Sequence, residues 1–122
     1  MNTKRALAAL VCVAGLLLVG CASPLPEEWA ARVAAADAVW FPADRDQAYR
    51  AVALDAADAN QPDVVKTCVK RTWFPFDRDQ TASEASMRLL DAGNRQAAVD
   101  VAKLMWFPHD RDRTLLQLAR TP

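Results

Sequence analysis

Two carboxylates flank a guanidinium group in the tripeptide Asp-Arg-Asp, which this chain of 122 residues contains three times. Each copy closes a seven-residue motif, Trp-Phe-Pro-x-Asp-Arg-Asp, at residues 40–46, 73–79 and 106–112. Paired carboxylates can act as the acid and base of a glycosidase, or they can supply oxygen ligands to Ca²⁺. Tryptophan and arginine concentrate the binding energy of protein interfaces. The motif is therefore open to catalysis, to cation binding and to recognition of another protein.

Catalysis and metal binding are the weaker interpretations of the motif. The chain has no Ser/His/Asp or Cys/His arrangement and no glycine-rich phosphate loop. Its single histidine, His109, stands at the variable motif position, which Ala43 and Phe76 fill in the other copies. Ca²⁺ takes about six to eight oxygens, and an arginine between two carboxylates opposes a cation. We expect no enzymatic activity, no cofactor and no metal site, and we keep carbohydrate or cation binding as a minor alternative.

Two interpretations of the motif remain. In the structural one, Trp and Phe cover the end of a helical hairpin, Pro ends one helix, Asp caps the next, and Arg bridges to a neighbouring copy's Asp or stacks on its Trp. In the binding one, three bends align an aromatic and charged edge that holds a partner. The sequence does not say whether the aromatic side chains face solvent. The candidate residues are Trp40, Phe41, Asp44, Arg45, Asp46, Trp73, Phe74, Asp77, Arg78, Asp79, Trp106, Phe107, Asp110, Arg111 and Asp112.

The motif belongs to a longer repeat, because its copies begin at residues 40, 73 and 106, a constant offset of 33 in the numbering. Residues 40–72 and 73–105 share ten identities, of which seven fall in the first eight positions. We therefore divide the chain into three units at 29–61, 62–94 and 95–122. Each unit has a shorter segment, the Trp-Phe-Pro bend and a longer segment.

Both segments of each unit are predicted to be helices. In the longer one, Tyr49, Val52, Ala53 and Ala56 recur at spacings of three and four, which places them on one helix face. The shorter one shows the same spacing, and no stretch of the chain alternates with a period of two. The predicted fold class is all-α.

Turn and cap residues predict where these helices begin and end. Residues 44–47 and 77–80, both Asp-Arg-Asp-Gln, are interpreted as capping boxes in which the first Asp opens the helix and Gln reaches back to it. Gly93 suits a left-handed helix end. Pro62 suits the first turn of a helix.

Three tandem helix-turn-helix units of this length resemble tetratricopeptide-type repeats, whose period is one residue longer. The resemblance is architectural and covers about residues 27–121. It implies a short array of α-hairpins, a class of fold that often binds peptides or proteins on its repeated surfaces. The aromatic and Gly-Tyr signature of that family is not evident here, and the Trp-Phe-Pro motif is not part of it.

The first residues of the chain have the character of a targeting segment. A short basic start is followed by an uncharged run at residues 6–19, which is long enough for a signal peptide but short for a membrane span. The sequence Leu18-Val19-Gly20-Cys21 that follows resembles the lipobox of bacterial lipoproteins. That resemblance implies a signal peptide at residues 1–20, an acylated Cys21 and a linker at 21–26. The helical repeat domain predicted from the period then occupies residues 27–122.

The remaining composition limits the class of partner. From Cys21 onward the chain carries thirteen of its fifteen basic residues and all fifteen acidic ones, a net charge of −2. No basic excess is available for nucleic acid. Ala22 stands where an Asp would resemble a signal for retention at the inner membrane, so the resemblance implies an outer-membrane lipoprotein facing the periplasm, assuming a Gram-negative cell, and otherwise a cell-membrane lipoprotein. We expect Cys68 to be a small core residue.

The function predicted from the sequence is a membrane-anchored envelope lipoprotein that acts as a helical scaffold or protein-interaction module. Its partner would be another envelope protein or a second copy of the chain. The alternative is an envelope lipoprotein, structural or self-associating, in which the bends only stabilise the array.

Overall fold

The computed structural model describes residues 24–122, which form six α-helices and contain no strand. The prediction of an all-α fold is confirmed. The proposed signal peptide and Cys21 lie outside the described residues. The helices are α1 (Glu27–Asp37), α2 (Pro42–Asp58), α3 (Pro62–Arg71), α4 (Pro75–Asp91), α5 (Arg95–Ala102) and α6 (Pro108–Arg120).

Proline opens four of these helices. Pro42, Pro62, Pro75 and Pro108 stand at the first helical turn, where the missing N–H of proline costs no hydrogen bond. The motif phenylalanine before each motif proline is extended, with φ near −80° and ψ between 119° and 129°, because proline excludes the helical conformation from the residue that precedes it.

The predicted capping boxes are wrong. Because α2 begins at Pro42, Asp44 lies inside the first turn, and no side chain caps the N-terminus of α2 or α4. Asp44 and Asp77 still favour these helices, since a negative charge in the first turn meets the positive end of the helix dipole. The side-chain cap in the described part of the chain is Asn94, whose Oδ1 accepts the N–H of Ala97 at 3.1 Å.

Two of the long helices end in the same left-handed turn. Asn60 has φ of 51° and Gly93 has φ of 84°. The N–H of the following residue returns to the last turn of the helix, from Gln61 to Ala56 at 2.8 Å and from Asn94 to Leu89 at 2.9 Å. These bonds define a Schellman motif. The prediction for Gly93 is confirmed, and Asn60 fills the equivalent position.

The core consists mostly of small side chains. Helix α2 packs mainly against α3 and α4, and α4 packs mainly against α5. Alanine and valine at these contacts let the helix axes approach closely, and Cys68 is fully buried among them, as expected. Burial raises the pKa of the Cys68 thiol from 9.0 to about 12.

Tyr49 contributes an aromatic ring to this core of small side chains. Burial, reinforced by the hydrogen bond from its hydroxyl to Asp37, raises its pKa to about 12. Asp37 also pairs with Arg71 at 2.7 Å, which ties α1 to α3.

Candidate functional site

The second aspartate of the motif connects one bend to the next. The carboxylate of Asp46 accepts the backbone N–H groups of Trp73 and Phe74 at 2.8 and 3.0 Å. Asp79 does the same for Trp106 and Phe107 at 2.5 and 2.9 Å. Both aspartates are buried, with only 1% and 4% of their surface exposed. The same contact is therefore made twice, one period of the repeat apart.

The local sequence explains this pairing. Trp73 and Phe74 stand just before a helix, so their N–H groups have no acceptor within it. Two adjacent donors match the two oxygens of one carboxylate, and a buried charge is tolerated when it is hydrogen-bonded in this way. Asp46 therefore holds the backbone of the next bend and makes no use of its aromatic side chains.

The motif arginine also contacts the neighbouring bend in one case. The Nε of Arg78 donates to the backbone carbonyl of Leu104, just beyond α5, at 3.1 Å. For Arg78 the predicted ion pair with a neighbouring copy's aspartate is wrong, because a free carbonyl after the helix end takes its hydrogen bond. The cation–π contact within residues 24–122 involves no motif arginine: Arg32 lies over Trp29 at 5.1 Å.

The aromatic side chains of the motif face solvent. Trp40, Trp73 and Trp106 are 86%, 69% and 64% exposed. We call the exposed Trp and Phe side chains at the first two motif positions the aromatic edge: Trp40, Phe41, Trp73, Phe74, Trp106 and Phe107. Because Asp46 and Asp79 join successive bends, the members of the edge follow one another along the molecule. The interpretation that Trp and Phe cover the hairpin ends is therefore wrong for the three tryptophans.

The first aspartates of the motif remain accessible beside this edge. Asp44 is exposed, and Asp77 and Asp110 are half-buried. A shallow cavity of about 200 Å³ lies between the second and third bends, where Phe76, Asp110 and Arg113 line it together with the buried Asp79. Within residues 24–122 no group of three or more His, Cys, Asp or Glu side chains could hold a metal ion.

The third copy of the motif differs from the first two in its environment. The side chain of Asp112 is 74% exposed, and its carboxylate lies 3.9 Å from the Nε of the adjacent Arg111. At the opposite end of the molecule, no acceptor in the described part of the chain takes the N–H groups of Trp40 and Phe41. The ends thus carry an unused acceptor and a pair of unused donors.

Comparison of the chain with models of protein families, with curated proteins and with solved structures finds no match. None of the helices from residue 24 onward is long and apolar enough to cross a membrane.

Sequence reasoning missed the role of Asp46 and Asp79, although a signal for it was present. Asp46, Tyr49 and Ala53 follow the spacing of one helix face, so Asp46 is in register with the core. An aspartate on a core face requires buried donors. The next copy of the motif offers such donors, the backbone N–H groups of Trp73 and Phe74 just before α4.

Proposed function

We propose that this protein is an interaction module that holds another protein of the bacterial envelope on its aromatic edge. The observation that carries this proposal is the exposure of the three motif tryptophans while the backbone at two of them is fixed by a buried carboxylate. A rigid bend presents each ring without the entropy cost of ordering a flexible loop. Trp is also the residue type most enriched at the energetic centres of interfaces.

Charged side chains beside the edge suit a polar rim around an apolar contact. Asp44 is exposed, while Asp77 and Arg45 are half-buried close to the rings. Both signs of charge are present, which favours a protein surface of mixed charge over nucleic acid.

The architecture we propose for this module is an array of three tandem α-hairpins, at 29–61, 62–94 and 95–122, similar to tetratricopeptide-type repeats. Support comes from the helix starts at Pro42, Pro75 and Pro108, which recur once in each period of the sequence. The carboxylate contacts of Asp46 and Asp79 recur with the same period.

We further propose that acylated Cys21 anchors the module to the membrane, and that the final location is the periplasmic face of an outer membrane. The lipobox-like Leu18-Val19-Gly20-Cys21 supports this assignment. Incorporation of labelled palmitate into the wild-type chain, and its loss in Cys21→Ala, is the expected result. Equal labelling of both chains would contradict it.

The binding proposal is tested by photo-cross-linking in cells. A photoreactive phenylalanine analogue replaces Phe76, which is 71% exposed at the variable position of the second motif. We expect one discrete adduct, which disappears when Trp73→Ser and Trp106→Ser are introduced together. The same analogue at Gln96, an exposed position of α5, is the matched control and should give no such adduct.

Two outcomes would contradict the proposal. One is an adduct that persists after both tryptophans are replaced. The other is a Trp73→Ser, Trp106→Ser chain that no longer folds, because the edge would then stabilise the array itself, as in the alternative structural interpretation.

A further inference from the structure

We propose that a second copy of this chain docks head to tail on the first. In this contact the carboxylate of Asp112 in one copy accepts the backbone N–H groups of Trp40 and Phe41 in the next. The contact repeats, between two molecules, the one that Asp46 and Asp79 each make within the chain.

The end of the molecule that carries Asp112 has an exposed helix face that suits this contact. Asp112, Leu116 and Ala119 lie at spacings of four and three, on one face of α6. All three are exposed, and Leu116 is 49% exposed. The equivalents of Asp112 and Ala119 in α2 are Asp46 and Ala53, which are both buried.

The end of the molecule that carries the free N–H groups of Trp40 and Phe41 also has an exposed apolar face. Ala31 and Ala35, one turn apart on α1, are exposed. The residues one period later, Val64 and Cys68, are fully buried. Ala48 in α2 is half-buried, whereas its equivalents are buried. These equivalents are Thr81 and Thr114. An apolar face that is covered in the middle of the molecule is therefore open at this end.

The charges at the two ends have opposite signs. A hollow of about 420 Å³ at the end of α6 is bordered by Arg113 and Arg120. Helix α1 begins with Glu27 and Glu28, which are both exposed. In the internal contacts the end of a long helix lies beside the start of the next short helix. Head-to-tail docking therefore brings the arginine-lined hollow of one copy toward the glutamates of the next.

The proposed contact joins two different surfaces, so it is heterologous. Such a contact leaves one free end of each kind on every assembly and generates open chains unless the rotation closes a ring. The proposal does not depend on the aromatic edge, because only the backbone of Trp40 and Phe41 takes part. Failure of the partner experiment above would leave it intact, and the reverse also holds.

Disulfide cross-linking of the full chain in membranes of expressing cells tests this geometry. Within the chain, Ser83 Oγ lies 3.1 Å from Thr114 Oγ1. The equivalent pair across the proposed contact is Leu116 of one copy and Ala48 of the next. We expect the double variant Ala48→Cys, Leu116→Cys to form a reducible ladder of dimers, trimers and larger species under mild oxidation. Adding Asp112→Asn should reduce the ladder at least about tenfold, since the amide replaces one of the two acceptor oxygens with an NH2 group that would face an N–H donor.

Three controls make the result decisive. The internal pair Ser83→Cys, Thr114→Cys should close a disulfide within one chain, which shows that two cysteines at this separation can form the bond. Each single cysteine variant should give no ladder, which excludes cross-links through Cys12, Cys21 or Cys68. Because Asp112 is exposed, Asp112→Asn should melt at the wild-type temperature.

The proposal is overturned if the Ala48→Cys, Leu116→Cys chain stays monomeric while the internal pair closes. It is also overturned if the ladder persists undiminished with Asp112→Asn. A single variant that cross-links as efficiently as the double variant would indicate a symmetric contact and would refute head-to-tail docking.

Discussion

At the scale of residues, the charged and the aromatic side chains of the motif have different roles. Asp46 and Asp79 hold the backbone of the next bend, and Arg78 holds the carbonyl beyond α5. The rings of the bends contribute little burial, since Trp73 and Trp106 are mostly exposed. The second aspartate of the motif therefore serves the fold, and the tryptophan ring stays exposed.

This division predicts that the same substitution destabilises the protein in one copy of the motif and has almost no effect in another. Asp79→Asn replaces a buried carboxylate that accepts two N–H groups and should lower the free energy of unfolding by about 2–4 kcal/mol. Asp112→Asn, at the exposed equivalent position, should change it by less than about 0.5 kcal/mol. Urea denaturation followed by circular dichroism measures both, and equal losses would show that Asp79 is not a buried link.

The buried side chains of Cys68 and Tyr49 predict that the protein is less stable at alkaline pH. Folding raises the pKa of Cys68 from 9.0 and that of Tyr49 from 10.0, each to about 12. Below about pH 9 both states keep these protons and the full stability is present. Between pH 9 and 12 the unfolded chain loses them first, so the free energy of unfolding falls as pH rises.

Replacing both groups should flatten this dependence. Cys68→Val introduces the residue type found one period later, where Val101 is fully buried. Tyr49→Phe removes the hydroxyl and keeps the aromatic ring. Urea midpoints measured between pH 8 and 11 should fall less steeply for the double variant than for the wild type. An identical slope would mean that other groups cause the alkaline loss.

At the scale of elements, proline and the left-handed turns set the helix boundaries. The start at Pro62 and the end at Gly93 could be predicted because each follows from the local conformational limits of a residue. The all-α class could be predicted because apolar residues recur at helical spacing. The starts at Pro42 and Pro75 were missed because Asp44 and Asp77 suit a cap as well as a first turn. The choice between the two depends on the contact that Asp46 and Asp79 make with the bend one period later, which is a tertiary contact.

The left-handed turns predict how substitutions at Gly93 and Asn60 change the stability of the protein. Gly93 has φ of 84°, and an added methyl group would meet no other atom within 4 Å, so Gly93→Ala should cost only the backbone term of about 1–2 kcal/mol. Asn60→Gly, at the equivalent turn with φ of 51°, relieves the left-handed strain but removes the hydrogen bond from Asn94 Nδ2 at 2.8 Å, so the melting temperature should change little. Thermal melts of both variants check this pair, and a neutral Gly93→Ala would show that the turn is not constrained.

At the scale of the whole molecule, buried carboxylates join successive bends, and the aromatic edge lies along these bends. The period of the motif could be read from the sequence, but the exposure of the rings could not. Trp at a bend can either cover a hairpin end or project from it, and the same seven letters suit both. In the structure Asp46 and Asp79 bind only the backbone of the second and third bends, and the tryptophan rings of all three bends lie outside.

The central claim is that the fold requires the carboxylate and not the ring, and one comparison tests it most directly. Asp46 and Trp73 share a hydrogen bond in which Trp73 contributes only its backbone N–H. Equilibrium unfolding in urea should show Asp46→Asn destabilised by about 2–4 kcal/mol, and Trp73→Ala within about 1 kcal/mol of the wild type, because the ring is mostly exposed. A loss for Trp73→Ala as large as that for Asp46→Asn would contradict the account, since the ring would then be part of the fold and not free for a partner.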